Sequence, residues 1–173
     1  MPVVAKNITF SDKILIVSKT DLRGNITYAN RHFMRISNFP ETALLGKPHN
    51  IIRHADMPRG VYYAMWKTLK SRQEFFGFVK NLTSDGDYYW VFANVTPDVV
   101  NGKVEGFFSV RRKAPEAAVK AIEAIYAEMR KKEAGLSADT AASNSWKWLS
   151  EHIESQHGVS YDEFVLGLYE QYL

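Results

Sequence analysis

Two tight-turn signatures, Ser84-Asp85-Gly86 and Asn101-Gly102, cut residues 75–112 into three runs rich in β-branched and aromatic side chains. Asp-Gly and Asn-Gly supply the positive φ angles that hairpin turns need, so consecutive runs reverse direction and pair antiparallel. The runs are Phe75–Leu82, Tyr88–Thr96 and Val104–Arg112. Upstream, Lys13–Ser18 and Ile26–Tyr28 flank Asp21–Asn25, a second hairpin with Gly24-Asn25 as its turn pair. Short helical signals lie between. Asn30 is an N-cap for a helix over Arg31–Ser37, Pro40-Glu41 opens another that ends at Gly46, and Pro58 starts a third reaching Lys70. Two strands, several short helices and a three-stranded meander predict an α+β fold, an antiparallel sheet with short helices on one face.

The chain changes character after residue 113. Pro115 and Gly135 bracket a helical pattern over Ala114–Ala134, in which Ala118, Ile122, Ile125 and Met129 form one apolar stripe. Such a stripe suits packing on a partner or a second copy. Leu136–Ser145 reads as a small-residue linker, and Trp146–Ser155 and Tyr161–Leu173 as further helices, the last opened by a Ser160/Glu163 capping box. Trp146, Trp148, Leu149 and Ile153 share one apolar face, suited either to covering the protein's own sheet or to docking a partner. The expected organisation is a leader over 1–12, a domain over 13–113, an amphipathic helix over 114–135 and a C-terminal helical extension over 136–173.

Composition removes several function classes. The 173 residues carry a net charge of +3, with basic residues scattered except at Arg111–Lys113 and Arg130–Lys132, so nucleic acid is not an expected partner. Cysteine is absent, which removes disulfides, thiolate metal sites and cysteine nucleophiles. No apolar run approaches the roughly 20 residues of a membrane helix, and no signal-peptide core stands at the N-terminus. A cytoplasmic protein without direct membrane insertion is expected. No nucleophile–base–orienter set is recognisable, so an enzyme is not expected.

The segment Leu45–Leu69 (LGKPHNIIRHADMPRGVYYAMWKTL) crowds an Asn, an Arg, two His and an Asp between two prolines, directly ahead of an aromatic-rich helix. Short-spaced polar groups hemmed by apolar residues suit a pocket wall, where a few placed donors orient a large ring-bearing ligand.

Lys13 to Lys113 resembles a PAS domain, through the opening hairpin DLRGNITYAN, Phe33, the Leu45-Gly46 junction and the Asp85-Gly86 turn before Tyr89-Trp90. More sharply, it is similar to the PAS domain of bacterial aerotaxis and energy-taxis receptors. Gly46–Pro58 (GKPHNIIRHADMP), Met65-Trp66, Thr68-Leu69-Lys70, Val79-Lys80-Asn81, Asp87–Val91 (DYYWV), Ala93-Asn94 and Ser109-Val110-Arg111 carry that likeness. The resemblance implies a PAS fold with a five-stranded antiparallel sheet and noncovalently bound FAD as a redox cofactor. It also implies a separate chemotaxis transducer or signalling protein that reads the flavin state, and a homodimer is compatible with it. Light-sensing flavin PAS domains use a cysteine near the positions of Pro48–Asn50; without one, adduct photochemistry is excluded.

The cofactor-binding set the resemblance implies is Asn30, His49, Asn50, Arg53, His54, Asp56, Trp66, Asn81 and Arg111. Arg53 suits a pyrophosphate because its planar fork matches phosphate oxygens, with His54 as a further donor. Asp56 would orient Arg53 or accept from a ribose hydroxyl, and Trp66 would stack on adenine. Asn81 and Arg111 would face the polar edge of the flavin ring. Plainer roles stand beside these: an Arg53–Asp56 ion pair that fixes a loop, a core Trp66, a turn Asn81. A haem-binding gas sensor with His49 or His54 as axial ligand, and a cofactor-free interaction module, are the alternative functions. Arg111 also lies on the strand leading through Lys113–Pro115 into the amphipathic helix, a short route for a signal.

Overall fold

The computed structural model describes residues 4–173; residues 1–3 of the expected leader lie outside the described residues. Five strands form one sheet: β1 (Ile16–Asp21), β2 (Ile26–Ala29), β3 (Phe75–Leu82), β4 (Tyr88–Val100) and β5 (Lys103–Lys113). Their order is β2-β1-β5-β4-β3, with every neighbouring pair antiparallel. Asn101 and Gly102 both adopt positive φ, 51° and 78°, so β4 and β5 pair right up to their turn and run longer than their sequence patterns. β1 lies later than its apolar run because its register against β5 extends from Ile16↔Arg111 to Asp21↔Gly106. A side chain on Gly106 would strike the Thr20 carbonyl, so this crossing needs glycine.

Strand alternation separates two faces. On β4, Tyr89, Val91, Ala93 and Val95 face inward, whereas Trp90 and Phe92 face outward. The inner face is covered by α1 (Arg31–Ser37), α2 (Glu41–Leu44), a 3-10 turn over His49–Ile52, and α3 (Arg59–Lys70). Residues 6–8 are not a detached leader. The Ile8 N–H donates to the Tyr88 carbonyl at 2.7 Å, the Tyr88 N–H donates to the Lys6 carbonyl at 3.0 Å, and Phe10 meets Tyr89 edge-on.

The outer face corrects the reading of the C-terminal third. α4 (Glu116–Glu133) turns its stripe onto its own chain: Ala118, Ile122 and Met129 are buried in the main core. That stripe is not free for a second copy or a transducer. The expected linker is the start of a helix, α5 (Ala138–His157). Its small residues are what the packing requires, because Ala141 and Ser145 are buried and a Cβ on Gly60 of α3 would lie 2.8 Å from the Trp146 nitrogen. The apolar face of α5 covers α3 and α4, with Leu149 and Ile153 buried. α6 (Tyr161–Gln171), capped by the Ser160 side chain accepting from the Glu163 N–H, returns over the sheet and stacks Tyr169 on Phe92 at 4.3 Å. The helices also pack along β3, an edge strand that would otherwise present unpaired backbone groups.

Candidate functional site

A cavity of about 250 Å³ lies between the inner face and the wall formed by the 3-10 turn and α3. Most of its lining is apolar and comes from every strand except β2, with Phe75, Val79, Val95 and Phe107 among the side chains. Alternation puts these groups there, since residues two apart on a strand share a face.

Arg111 is the most constrained polar group in the lining, at 2% exposure. Its Nη2 donates to Ser18 Oγ at 2.9 Å, and its Nη1 lies 3.2 Å from His49 Nε2. Ser18 Oγ lies 3.0 Å from the same His49 nitrogen, and the guanidinium sits over the Phe33 ring at 4.5 Å. Burial, together with the Arg111 charge, pushes the His49 imidazole down to about 3, so it is neutral and Nε2 accepts. Burial also draws Arg111 down to about 10, still a cation at neutral pH. Among the described residues no carboxylate pairs with it, and its Nε is buried without a partner.

Asn81, 3% exposed, also lines the cavity, and its Nδ2 is likewise buried without a partner. It pairs in register with Tyr89 across the β3–β4 ladder. Burial pushes the Tyr89 hydroxyl up to about 12, against the Arg111 charge and the Asn81 side chain nearby, and it too is buried without a hydrogen bond of good geometry. A buried donor without an acceptor costs free energy.

Arg53 lines the cavity from the loop after the 3-10 turn, where it sits over the Tyr62 ring at 3.9 Å. Its backbone bridges to Asn81, which ties the loop to β3. Arg53 does not pair with Asp56. Asp56 instead accepts from Lys80 Nζ at 2.8 Å, which holds its carboxyl below the usual range, because β3 brings Lys80 closer than the loop brings Arg53. His49, Asn50, Arg53, Trp66, Asn81 and Arg111 therefore line one cavity, with Arg23 at an exposed rim beside them. Trp66 meets Phe107 edge-on at 5.2 Å.

Asn30, His54 and Asp56 do not line it. The Asn30 side chain accepts from the Phe33 and Val17 N–H groups and donates to the Leu15 carbonyl, joining α1 to the sheet. His54 Nδ1 accepts from the Asp56 N–H at 2.9 Å, and its ring packs edge-on against Tyr88. Burial, then the Lys80 charge, lowers its pKa. Sequence reasoning missed Ser18, Tyr62, Tyr89 and Arg23. Ser18 and Tyr89 were findable by alternation, since Ser18 sits between Ile16 and Thr20 and Tyr89 two before Val91.

α4 grips the elements that carry this wall. Arg130 Nη1 donates to the Asp56 carbonyl at 2.6 Å. The Glu133 carboxylate accepts from the Arg59 and Gly60 N–H groups at 2.9 and 3.1 Å, capping α3, whose own N-cap is Pro58.

Comparisons with known proteins agree with this architecture. Residues 26–111 match the PAS fold family. The chain is 40% identical over 124 residues to the aerotaxis receptor of Escherichia coli K12, covering 72% of this chain and 24% of that protein. It is 37% identical over 98 residues to the nitrogen fixation regulatory protein of Klebsiella pneumoniae, covering 56% of this chain and 20% of that one. The chain thus spans a quarter or less of the length of these relatives. Among solved structures, a light-oxygen-voltage domain studied with a flavin analogue superposes with a TM-score of 0.56 at 18% identity, over 62% of this chain and 82% of that one. That likeness concerns the fold.

Proposed function

Because residues 26–111 are a PAS domain, we propose that this cavity binds FAD noncovalently and that the chain passes the redox state of the flavin to a chemotaxis signalling partner. The observation that carries the reading is the pair Asn81 and Arg111: each keeps one buried nitrogen, Nδ2 and Nε, without an acceptor in one largely apolar cavity. They fit a ring whose polar edge offers acceptors, as the flavin pyrimidine edge does. Bound FAD would supply reversible electron uptake, chemistry that the side chains themselves lack. Arg53 and Arg23 would meet the pyrophosphate, Trp66 the adenine, and the apolar lining would keep water from the ring. A partner that reads chemotaxis signals is supported by the likeness to an aerotaxis receptor.

The haem alternative has less support. His49 is the cavity-lining histidine, and its Nε2 is occupied by Arg111 and Ser18, whereas His54 lies outside the lining. A cofactor-free module would leave Asn81 Nδ2 and Arg111 Nε unsatisfied. The visible spectrum of the purified protein, followed by release and mass measurement of the chromophore, tests the proposal. Flavin absorption near 450 nm, as a rough expectation for this cofactor, with a released mass equal to FAD is the expected result. A colourless protein that also fails to take up added FAD sinks it.

A further inference from the structure

The His49 imidazole and the Ser18 hydroxyl line up on Arg111, and neither of them is a carboxylate. We infer that Ser18 and His49 are positioning residues: they fix the Arg111 guanidinium beside the bound ring and leave its positive charge unspent. The inference rests on the flavin reading above and deepens it.

A buried arginine is normally met by Asp or Glu, because the attraction of an ion pair recovers part of the desolvation cost that a lone charge would bear in full. Here the partners are a neutral ring at 3.2 Å, a hydroxyl at 2.9 Å and the face of Phe33 at 4.5 Å. The set closes on itself, since Ser18 Oγ and His49 Nε2 are 3.0 Å apart. It is assembled from three separate elements. Ser18 lies in β1, His49 begins the 3-10 turn, and Arg111 lies in β5 two positions beyond Ser109, the residue paired with Ser18. His49 stacks on Phe33 at 5.9 Å, so the same ring backs both the imidazole and the guanidinium. Two of the guanidinium nitrogens are thereby held while Nε remains without a partner. A carboxylate at position 18 or 49 would hold the arginine more tightly and cancel its charge. The observed partners orient it without neutralising it, so its field remains available to a group that gains negative charge.

A double-mutant cycle separates positioning from direct contact with the ligand. Ser18→Ala and His49→Leu are each expected to weaken FAD binding about tenfold. His49→Gln, whose amide oxygen still accepts from Nη1, is expected to bind within about threefold of the parent. In an Arg111→Met background neither Ser18→Ala nor His49→Leu should weaken binding further. A further loss from His49→Leu in that background means that His49 touches the ligand itself, and overturns the inference.

A second readout is electrochemical. Ser18→Asp should lower the affinity for reduced relative to oxidised FAD about tenfold, a fall of about 30 mV for a two-electron couple. Ser18→Ala should move the potential less. A Ser18→Asp protein that binds FAD at the parent potential also overturns the inference. If that variant does not fold, the binding cycle alone decides. A parent chain that takes up no FAD overturns the flavin reading and this inference together, an outcome distinct from both others.

Discussion

On the outer face of the sheet the Tyr126 hydroxyl, buried among aromatic rings, donates to the Phe78 carbonyl at 2.6 Å; on the inner face the Arg111 guanidinium, equally buried, keeps its Nε without a partner. Both faces come from the same five strands, and residues adjacent in sequence, such as Trp90 and Val91, serve opposite sides. Among the described residues the outer face leaves one neutral group unmatched, Trp90 Nε1, and the Tyr161 hydroxyl is unmatched at the β3 edge, against Gly77 and Phe75. The inner face leaves a charge unmatched. The difference teaches where stability and function are stored. Outer polar and aromatic groups are spent on one another and on α4–α6, while inner polar groups are held in place for something else.

The comparison breaks first if the outer face does not carry the fold. Phe92 is 6% exposed and stacks on Tyr169, with Phe78 and Phe76 against it. Phe92→Ala is expected to cost about 3–5 kcal/mol in denaturant unfolding, enough to threaten a domain of ordinary stability. A loss below about 1 kcal/mol would mean that the C-terminal helices are loosely applied.

Next comes the inner face. Arg53→Ala should weaken FAD binding by about 1.5–3 kcal/mol, roughly ten- to hundredfold, while the ligand-free midpoint stays close to the parent. Unchanged FAD titration would remove Arg53 from the phosphate site.

The pH dependence sharpens the contrast. The folded pKa of His49 is about 3, below its ordinary 6.5. As pH falls below 6.5, the unfolded chain takes up a proton that the folded chain refuses, so stability is lost, by at most about tenfold per pH unit, down to pH 3. His54, also lowered, acts in the same direction. Between pH 7 and 5, before the carboxylates titrate, unfolding curves of the parent should shift to lower denaturant, and His49→Gln should shift less. Equal shifts would place the buried, neutral imidazole elsewhere.

The smallest expected effect is the most discriminating. Arg111→Met replaces an uncompensated buried charge with an apolar chain of similar reach, and Ser18 and His49 can still bond to each other. Ligand-free stability should therefore stay within about 1 kcal/mol of the parent, or rise. A loss of several kcal/mol would make Arg111 a structural residue like Phe92.

Much of this was legible in the chain. The turn pairs dictated the hairpins, and the Pro- and Asn-led starts located α1 to α3, because these signals act over a few residues. The crowded loop between Pro48 and Pro58 pointed to a cavity wall for the same reason. Tertiary choices were not legible. Ala138 to Ser145 looks like a linker until Gly60 on another helix demands small neighbours. The α4 stripe has the pattern of a docking face whether its partner is another chain or its own sheet. Asp56 could pair with nearby Arg53 or distant Lys80, and only the path of β3 decides. Asn30 reads correctly as a cap, and the bonds to Val17 and Leu15 that keep it in the scaffold appear only when β1 is placed beside α1.

The carboxylate of Glu133 bears on how this domain would be cut and grafted. The first amides of α3 are capped from a residue 73 and 74 positions away in sequence, and Arg130 holds the neighbouring loop from the same helix. A chimera spliced at residue 113, where the strand pattern ends, would inherit the cavity wall without its fastening and leave the rings of Phe92 and Trp90 bare. The transplantable unit runs to the end of α6, and an effector domain fused to it should be joined there, so that the wall and its fastening travel together.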